Sequence, residues 1–358
     1  ATARAALGAV AEPSAAAEDT ALALFPRGAG GSPPEPLPQE LGCACCGSDG
    51  GARRLLAVTA RAYVQFALRL DVEALRPCFA KVVSWARGPQ ERVLLRQADR
   101  KALKSAAPDV PGDADDACRA LALFSVMDAL VAEVAELAED MLLPLTYKDL
   151  ASCLGASRLC AQRLAAQNKP TGAKRKAGGA SAQKVLQGHT WWWFEVSTAA
   201  LGFLGAAVAP AGERSETSKA VAEAISELRE PCCNMLDVFA LLPALEETPA
   251  SQQLLRALQA ALVSLAAASD GDGVKALMNA VLRKSHADDA ETRLCAVKCC
   301  HKIWQQLGVQ VVTSLTEVVT FAAELFEDED NRVEDAARAL VKTMEDCTGE
   351  SLQDSLKR

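Results

Sequence analysis

Thr292-Arg293-Leu294-Cys295-Ala296 opens a stretch, running to Leu307, that sets Leu294, Val297, Cys300, Ile303, Trp304 and Leu307 on one helical face. The same register returns at Val333-Glu334-Asp335-Ala336-Ala337, an offset of 41 residues, where Val333, Ala336, Ala337, Leu340, Val341 and Met344 form the apolar stripe. Stacked two-helix units of the HEAT type repeat at roughly 40 to 47 residues, so the offset predicts such a stack. Between the two lies a third stripe: Leu315, Val318, Val319, Ala322, Leu325 and Phe326. Gly308 is the predicted stop of the first helix, because glycine takes the left-handed conformation without a Cβ clash. Ser314 with Glu317 is the predicted capping box of the next, and Asp328, Glu329, Asp330 and Asn331 make the following turn. The fold class is all-α: an α-solenoid of HEAT-like helical repeats.

Composition agrees. Half of the 358 residues are hydrophobic while 4% are aromatic, and the only isoleucines are Ile225 and Ile303. Alanine and leucine favour helices, and the β-branched and aromatic material of strands is scarce. A net charge of -8 excludes a protein whose whole surface grips phosphate. Position 1 is Ala and no charged-then-apolar leader follows, so the chain reads as part of a longer protein without a secretory segment. The 13 cysteines lack the regular spacing of a secreted disulfide framework, which points to a reducing compartment.

Outward from the repeats, four regions are expected. Residues 1–50 form an Ala-, Pro- and Gly-rich lead of low-complexity composition. Residues 51–155 carry helical pattern, including the run Leu123, Met127, Leu130, Val134, Leu137 and Met141. Residues 156–183 have linker composition around the basic centre Lys174, Arg175 and Lys176, and residues 184–358 hold the repeats.

No motif supports catalysis, a cofactor or a metal. Cys43, Cys45 and Cys46 lack a second ligand pair at zinc spacing. Cys295, Cys299, Cys300 and His301 read as small side chains filling a helix interface. Ser269-Asp270-Gly271-Asp272-Gly273 looks like the start of a calcium loop, but Val281 stands where a bidentate Glu is needed. His189, His286 and His301 sit in no nucleophile or protease pattern. Trp191-Trp192-Trp193-Phe194 reads first as a buried helix start, with base stacking or a membrane-interface belt over Trp191 to Ala209 as the alternatives. Two groups remain as candidate contact sites. Lys174, Arg175 and Lys176 suit RNA or a nuclear-import receptor, and the acidic strip Glu327, Asp328, Asp330 and Glu334, with Asp335, suits a basic protein tail.

Several segments carry a family resemblance. They are Val274-Lys275-Ala276-Leu277-Met278-Asn279, the helix start at Thr292 to Ala296, Glu324-Leu325-Phe326-Glu327-Asp328 before Val333-Glu334, and Gly349-Glu350-Ser351-Leu352-Gln353. Upstream, Phe79-Ala80-Lys81-Val82-Val83-Ser84-Trp85-Ala86 and Leu123-Phe124 add to it. In this order they resemble the C-terminal region of the U3 small nucleolar RNA-associated protein ten family, large nucleolar HEAT-repeat proteins of the small-subunit processome. The resemblance implies a non-enzymatic scaffold in the nucleus and nucleolus that supports pre-rRNA processing and 18S rRNA maturation, with a link to rRNA transcription. Implied partners are other early-binding processome proteins, pre-rRNA and U3 small nucleolar RNA, with no membrane and no small-molecule substrate. The repeat pattern alone also fits a transport- or phosphatase-type HEAT scaffold, and Trp191 to Ala209 leaves a membrane-anchored helical protein as a further alternative.

Overall fold

The computed structural model describes residues 51–98, 114–168, 178–208, 219–241 and 249–352. Among them there is no strand. The helices are α1 (Gly51–Ala67), α2 (Val72–Ala98), α3 (Ala114–Glu133), α4 (Leu143–Asn168), α5 (Gly178–Ala207) and α6 (Lys219–Asn234). They continue as α7 (Leu236–Leu241), α8 (Pro249–Ala267), α9 (Gly271–Leu282), α10 (Ala290–Leu307), α11 (Leu315–Leu325) and α12 (Asn331–Thr348).

They stack in two layers. One runs α1, α3, α5, α8, α10, α12, each against the next, and the other runs α2, α4, α6, α9, α11. The 41-residue period is visible in the backbone: α8, α10 and α12 begin at Pro249, Ala290 and Asn331. Their boundaries have repeating causes. Asp289 accepts a hydrogen bond from the Thr292 amide at 2.9 Å, and Asp330, at the equivalent position, accepts one from the Arg332 amide at 2.9 Å. Each aspartate satisfies an amide that the first turn leaves without a carbonyl. At the other ends, Gly308 (φ +51°) and Gly349 (φ +73°) take the backbone region that other residues avoid.

The start of α11 differs from the expected capping box. Gly308–Ser314 is a 3₁₀ helix that runs directly into α11. Ser314 turns its hydroxyl back to the Val311 carbonyl at 2.7 Å and caps nothing. A chain that arrives already helical presents no orphan amides, so a box has nothing to satisfy.

α4 runs to Asn168, well into the segment expected to be a linker. Gly155 lies inside it, and the helix continues because Cys153, Leu154, Ser157, Cys160 and Ala161 keep a buried stripe going. Packing on that face outweighs the roughly 1 kcal/mol that an internal glycine costs. The α3–α4 connection includes a π-helical turn, Ala138–Leu142. Pro144 has no amide to give the Asp140 carbonyl, and Arg76 Nη2 donates to that carbonyl at 3.4 Å.

The core follows both layers along the stack. Its largest enclosed side chains include Tyr63, Phe79, Phe124, Trp193, Phe203 and Trp304. Trp193 and Phe194 are buried, as expected of packing residues, but they lie in the middle of α5 and not at its start, because the helix already begins at Gly178. The side chains of Trp191 and Trp192 lie outside the described residues. No described helix is long and apolar enough to cross a membrane.

Candidate interaction surface

The acidic strip is built on the α11–α12 turn and on the first turn of α12. Arg293, on α10, meets Asp328 side by side: Nε donates to Oδ2 at 2.7 Å and Nη2 to Oδ1 at 2.8 Å. The remaining guanidinium nitrogen donates to the Ala287 and Asp288 carbonyls at 3.0 Å each. Asp328 Oδ1 also accepts the Asp330 amide at 2.9 Å. Hydrogen bonding to Arg293 holds the Asp328 carboxyl below the usual carboxylate range and raises the guanidinium in turn. The pair therefore fastens one repeat to the next.

Arg332, at the start of α12, pairs with Asp330 at 2.8 Å and with Glu291 at the start of α10. Glu291 and Arg332 are themselves 41 residues apart, so one repeat position carries opposite charges in adjacent units. Glu334 accepts from Arg338 one turn later on α12. Of the strip, Asp328, Asp330 and Glu334 thus have partners within the chain, while Glu327 and Asp335 stand exposed. Lys174, Arg175 and Lys176 lie outside the described residues.

The cysteines on α10 line its interface. Cys295, Cys299 and Cys300 are buried, and burial pushes the Cys300 thiol up to about 12, with Cys233 on α6 likewise at about 12. His301 Nε2 lies 2.8 Å from the Thr343 hydroxyl of α12, and burial followed by the Lys302 charge lowers its affinity for a second proton. Among the described residues no cluster of three or more His, Cys, Asp or Glu is placed to hold a metal ion. Asp270 of the calcium-like turn caps α9 by accepting the Gly273 amide at 2.7 Å.

One charged node gave no signal in the sequence. Asp237 on α7 binds Arg158 of α4 at 2.7 Å and Lys284, just after α9, at 2.6 Å. The partners are 79 and 47 residues away, beyond any local motif.

Two layers of antiparallel helices, equivalent caps 41 residues apart and a polar clamp between units define a HEAT-type α-solenoid, a class of extended binding scaffolds. Residues 219–357 match the family described as "Stalled ribosome sensor GCN1-like, HEAT repeats". The chain is 36% identical over 104 residues to the U3 small nucleolar RNA-associated protein 10 of Coccidioides immitis, covering 26% of this chain and 6% of that protein. It is 35% identical over 99 residues to the protein of that name in Schizosaccharomyces pombe, with 27% and 6% covered. It is also 35% identical over 103 residues to the HEAT repeat-containing protein 1 homolog of Drosophila melanogaster, with 29% and 5% covered. The resemblance read from the sequence holds: over about a quarter of its length the chain is similar to proteins named U3 small nucleolar RNA-associated protein 10. The matched segments span about one-twentieth of the length of these relatives.

Proposed function

We propose that the chain is a non-enzymatic scaffold segment of the small-subunit processome, working in the nucleolus. In this reading it supports pre-rRNA processing and 18S rRNA maturation, with a link to rRNA transcription. Its partners are other early-binding processome proteins, pre-rRNA and U3 small nucleolar RNA. The observation that carries the reading is the coincidence of HEAT stacking with relatives named for association with U3 small nucleolar RNA. The physical mechanism is that of a solenoid: stacked helix pairs spread recognition over many side chains, so binding needs no deep pocket.

Within this reading, residues 51–155 form the region that marks the family, the segment 156–183 that leads to the repeats of 184–358 is helical up to Asn168 and from Gly178, and Lys174, Arg175 and Lys176 between those helices contact RNA or an import receptor. Docking of a basic tail on the acidic turn falls chiefly to Glu327 and Asp335, since Asp328, Asp330 and Glu334 already bind arginines. The test is affinity purification of the tagged chain followed by identification of RNA and protein. Recovery of U3 RNA and early pre-rRNA is expected. Recovery of transport cargo or phosphatase subunits without those RNAs would replace the reading by the alternative HEAT scaffold.

A further inference from the structure

The water-facing side of α8 and α10 carries charge of one sign. α8 holds no acidic residue. α10 holds one, Glu291 in its first turn, and that carboxylate is paired with Arg332. Against this the two helices present Arg256 and Lys298, both exposed, and Lys302, half-buried. Neither Arg256 nor Lys298 has a carboxylate partner among the described residues. Lys302 Nζ donates to the neutral Gln305 Oε1 at 3.0 Å.

The packing gathers the three cations into one patch. Gln259 Nε2 donates to the Lys298 carbonyl at 3.3 Å, which sets Arg256, about one turn before Gln259, at the level of Lys298 on the neighbouring helix. Lys302 follows Lys298 by one turn on the same face of α10. The contact of His301 with the Thr343 hydroxyl, 2.8 Å, brings α12 alongside at that level. Lys342 is exposed there too, but Asp346 one turn on and Asp335 two turns back offset it, so the positive field is strongest over α8 and α10. The other layer has the opposite sign: α6 exposes Glu223, Glu227 and Glu230 on successive turns. A chain of net charge -8 therefore keeps a basic surface on one side of its stack.

The surroundings of the cations select the partner. Gln252, Gln253, Gln305 and Gln306 are exposed around them and offer amide donors without adding negative charge. Among the described residues of α8 and α10 the only apolar side chain fully open to water is Ala260, so a docking protein helix finds no anchor. No aromatic ring is exposed on either helix, so unpaired bases have nothing to stack on. Phosphate oxygens need only cations and hydrogen-bond donors, and these are what the face supplies.

We propose that Arg256, Lys298 and Lys302 form a contact surface for the phosphate backbone of RNA, bound without regard to base sequence. The choice of RNA rests on the processome reading, and the phosphate contact rests on the charges themselves.

The full chain is titrated with a fluorescein-labelled oligouridylate across a salt series, and binding is read by anisotropy. The three contacts are expected to contribute about -2 to the slope of log affinity against log salt, at roughly 0.7 per phosphate. Arg256→Gln, Lys298→Gln and Lys302→Gln together should remove that part of the slope and weaken binding by about tenfold or more at low salt, with far-UV circular dichroism and the urea midpoint unchanged. Lys219→Gln, Lys275→Gln and Arg283→Gln change the net charge equally on the other layer and should leave binding within about twofold. Equal losses in the two triple variants, or no loss in the first, overturn the proposal. Photocrosslinking with 4-thiouridine in the oligonucleotide should mark residues 252–264 and 298–306; marks confined to the segment around Lys174, Arg175 and Lys176 overturn it. So does displacement of the RNA by an oligoglutamate of equal charge at equal concentration, which would assign the surface to an acidic protein segment. U3 RNA recovered with a tagged chain that binds no oligouridylate overturns this proposal and leaves the processome reading standing. Oligouridylate bound through these three residues, with no U3 RNA recovered, does the reverse.

Discussion

Arg293 on α10 holds Asp328 on the turn before α12 through two parallel hydrogen bonds of 2.7 and 2.8 Å, with side-chain exposures of 15% and 6%. The planar guanidinium matches the carboxylate, and its other donors close off the carbonyls at the α9–α10 turn. A side chain from the start of one repeat helix thereby fixes the turn that leads into the next.

Removing one partner leaves the other half-buried with its charge unpaired. Asp328→Ala and Arg293→Ala are each expected to destabilise the chain by about 3 kcal/mol, and the double substitution by clearly less than the sum. Urea denaturation of the four proteins checks this, and strictly additive losses would contradict the pairing.

The same pair sets a pH dependence. The folded carboxyl of Asp328 lies below its ordinary value of 3.8, so its contribution is fully present above that value and is lost as pH falls through the lower folded one. Between neutral pH and about pH 5 this contribution stays flat. Asp328→Asn should remove it, leaving a shallower fall of stability below pH 4 than in the parent chain, measured by urea midpoints across the acid range.

Much of this region is legible in sequence because its causes are local. Apolar spacing, Gly308 and the 41-residue offset all act within a turn or a repeat, and they mark α10, α11 and α12 correctly. The capping box failed for a local reason as well: Ser314 and Glu317 carry the right residues, but the preceding segment is already helical. The linker composition of 156–183 hid the end of α4, since the stripe through Cys160 and Ala161 is stabilised by packing against α5, which no pattern within the segment encodes. The Asp237 node depends on which helices become neighbours, and no pattern within α7 encodes that.

Gly308 and Gly349 occupy equivalent ends of α10 and α12 with φ of +51° and +73°. Added methyls meet no clash: at Gly308 the nearest atom is Cys347 Sγ at 3.7 Å, and at Gly349 nothing lies within 4 Å. Gly349 lies in the left-handed helical region (ψ 9°), where alanine costs about 1 to 2 kcal/mol, whereas Gly308 (ψ -121°) lies outside it in a region that residues with a Cβ avoid more strongly, so Gly308→Ala is expected to cost more than Gly349→Ala. Equal losses, read from thermal or urea unfolding, would contradict this.

Glu291 and Arg332 pair across adjacent repeats, but Arg332 is 53% exposed, so the pair contributes little. Glu291→Gln is expected to cost at most about 0.5 kcal/mol, with the difference vanishing in high salt. A loss as large as that of Asp328→Ala would give this pair, and not Arg293 with Asp328, the role of holding the repeats together.

Cys233 and Cys300 are buried and their thiols are raised to about 12, while Cys78 and Cys347 are only half-buried. At pH 8 a thiol of that acidity is ionised in about one molecule in ten thousand, and the thiolate is the form that attacks an alkylating reagent. Brief iodoacetamide treatment of the native chain, read residue by residue by mass spectrometry, should modify Cys78 and Cys347 and leave Cys233, Cys299 and Cys300 free. Urea should release these three together, because all three lie in the one continuous core. Modification of Cys299 or Cys300 before unfolding would show that α10 opens locally, and that the stack is less cooperative than its shared core implies.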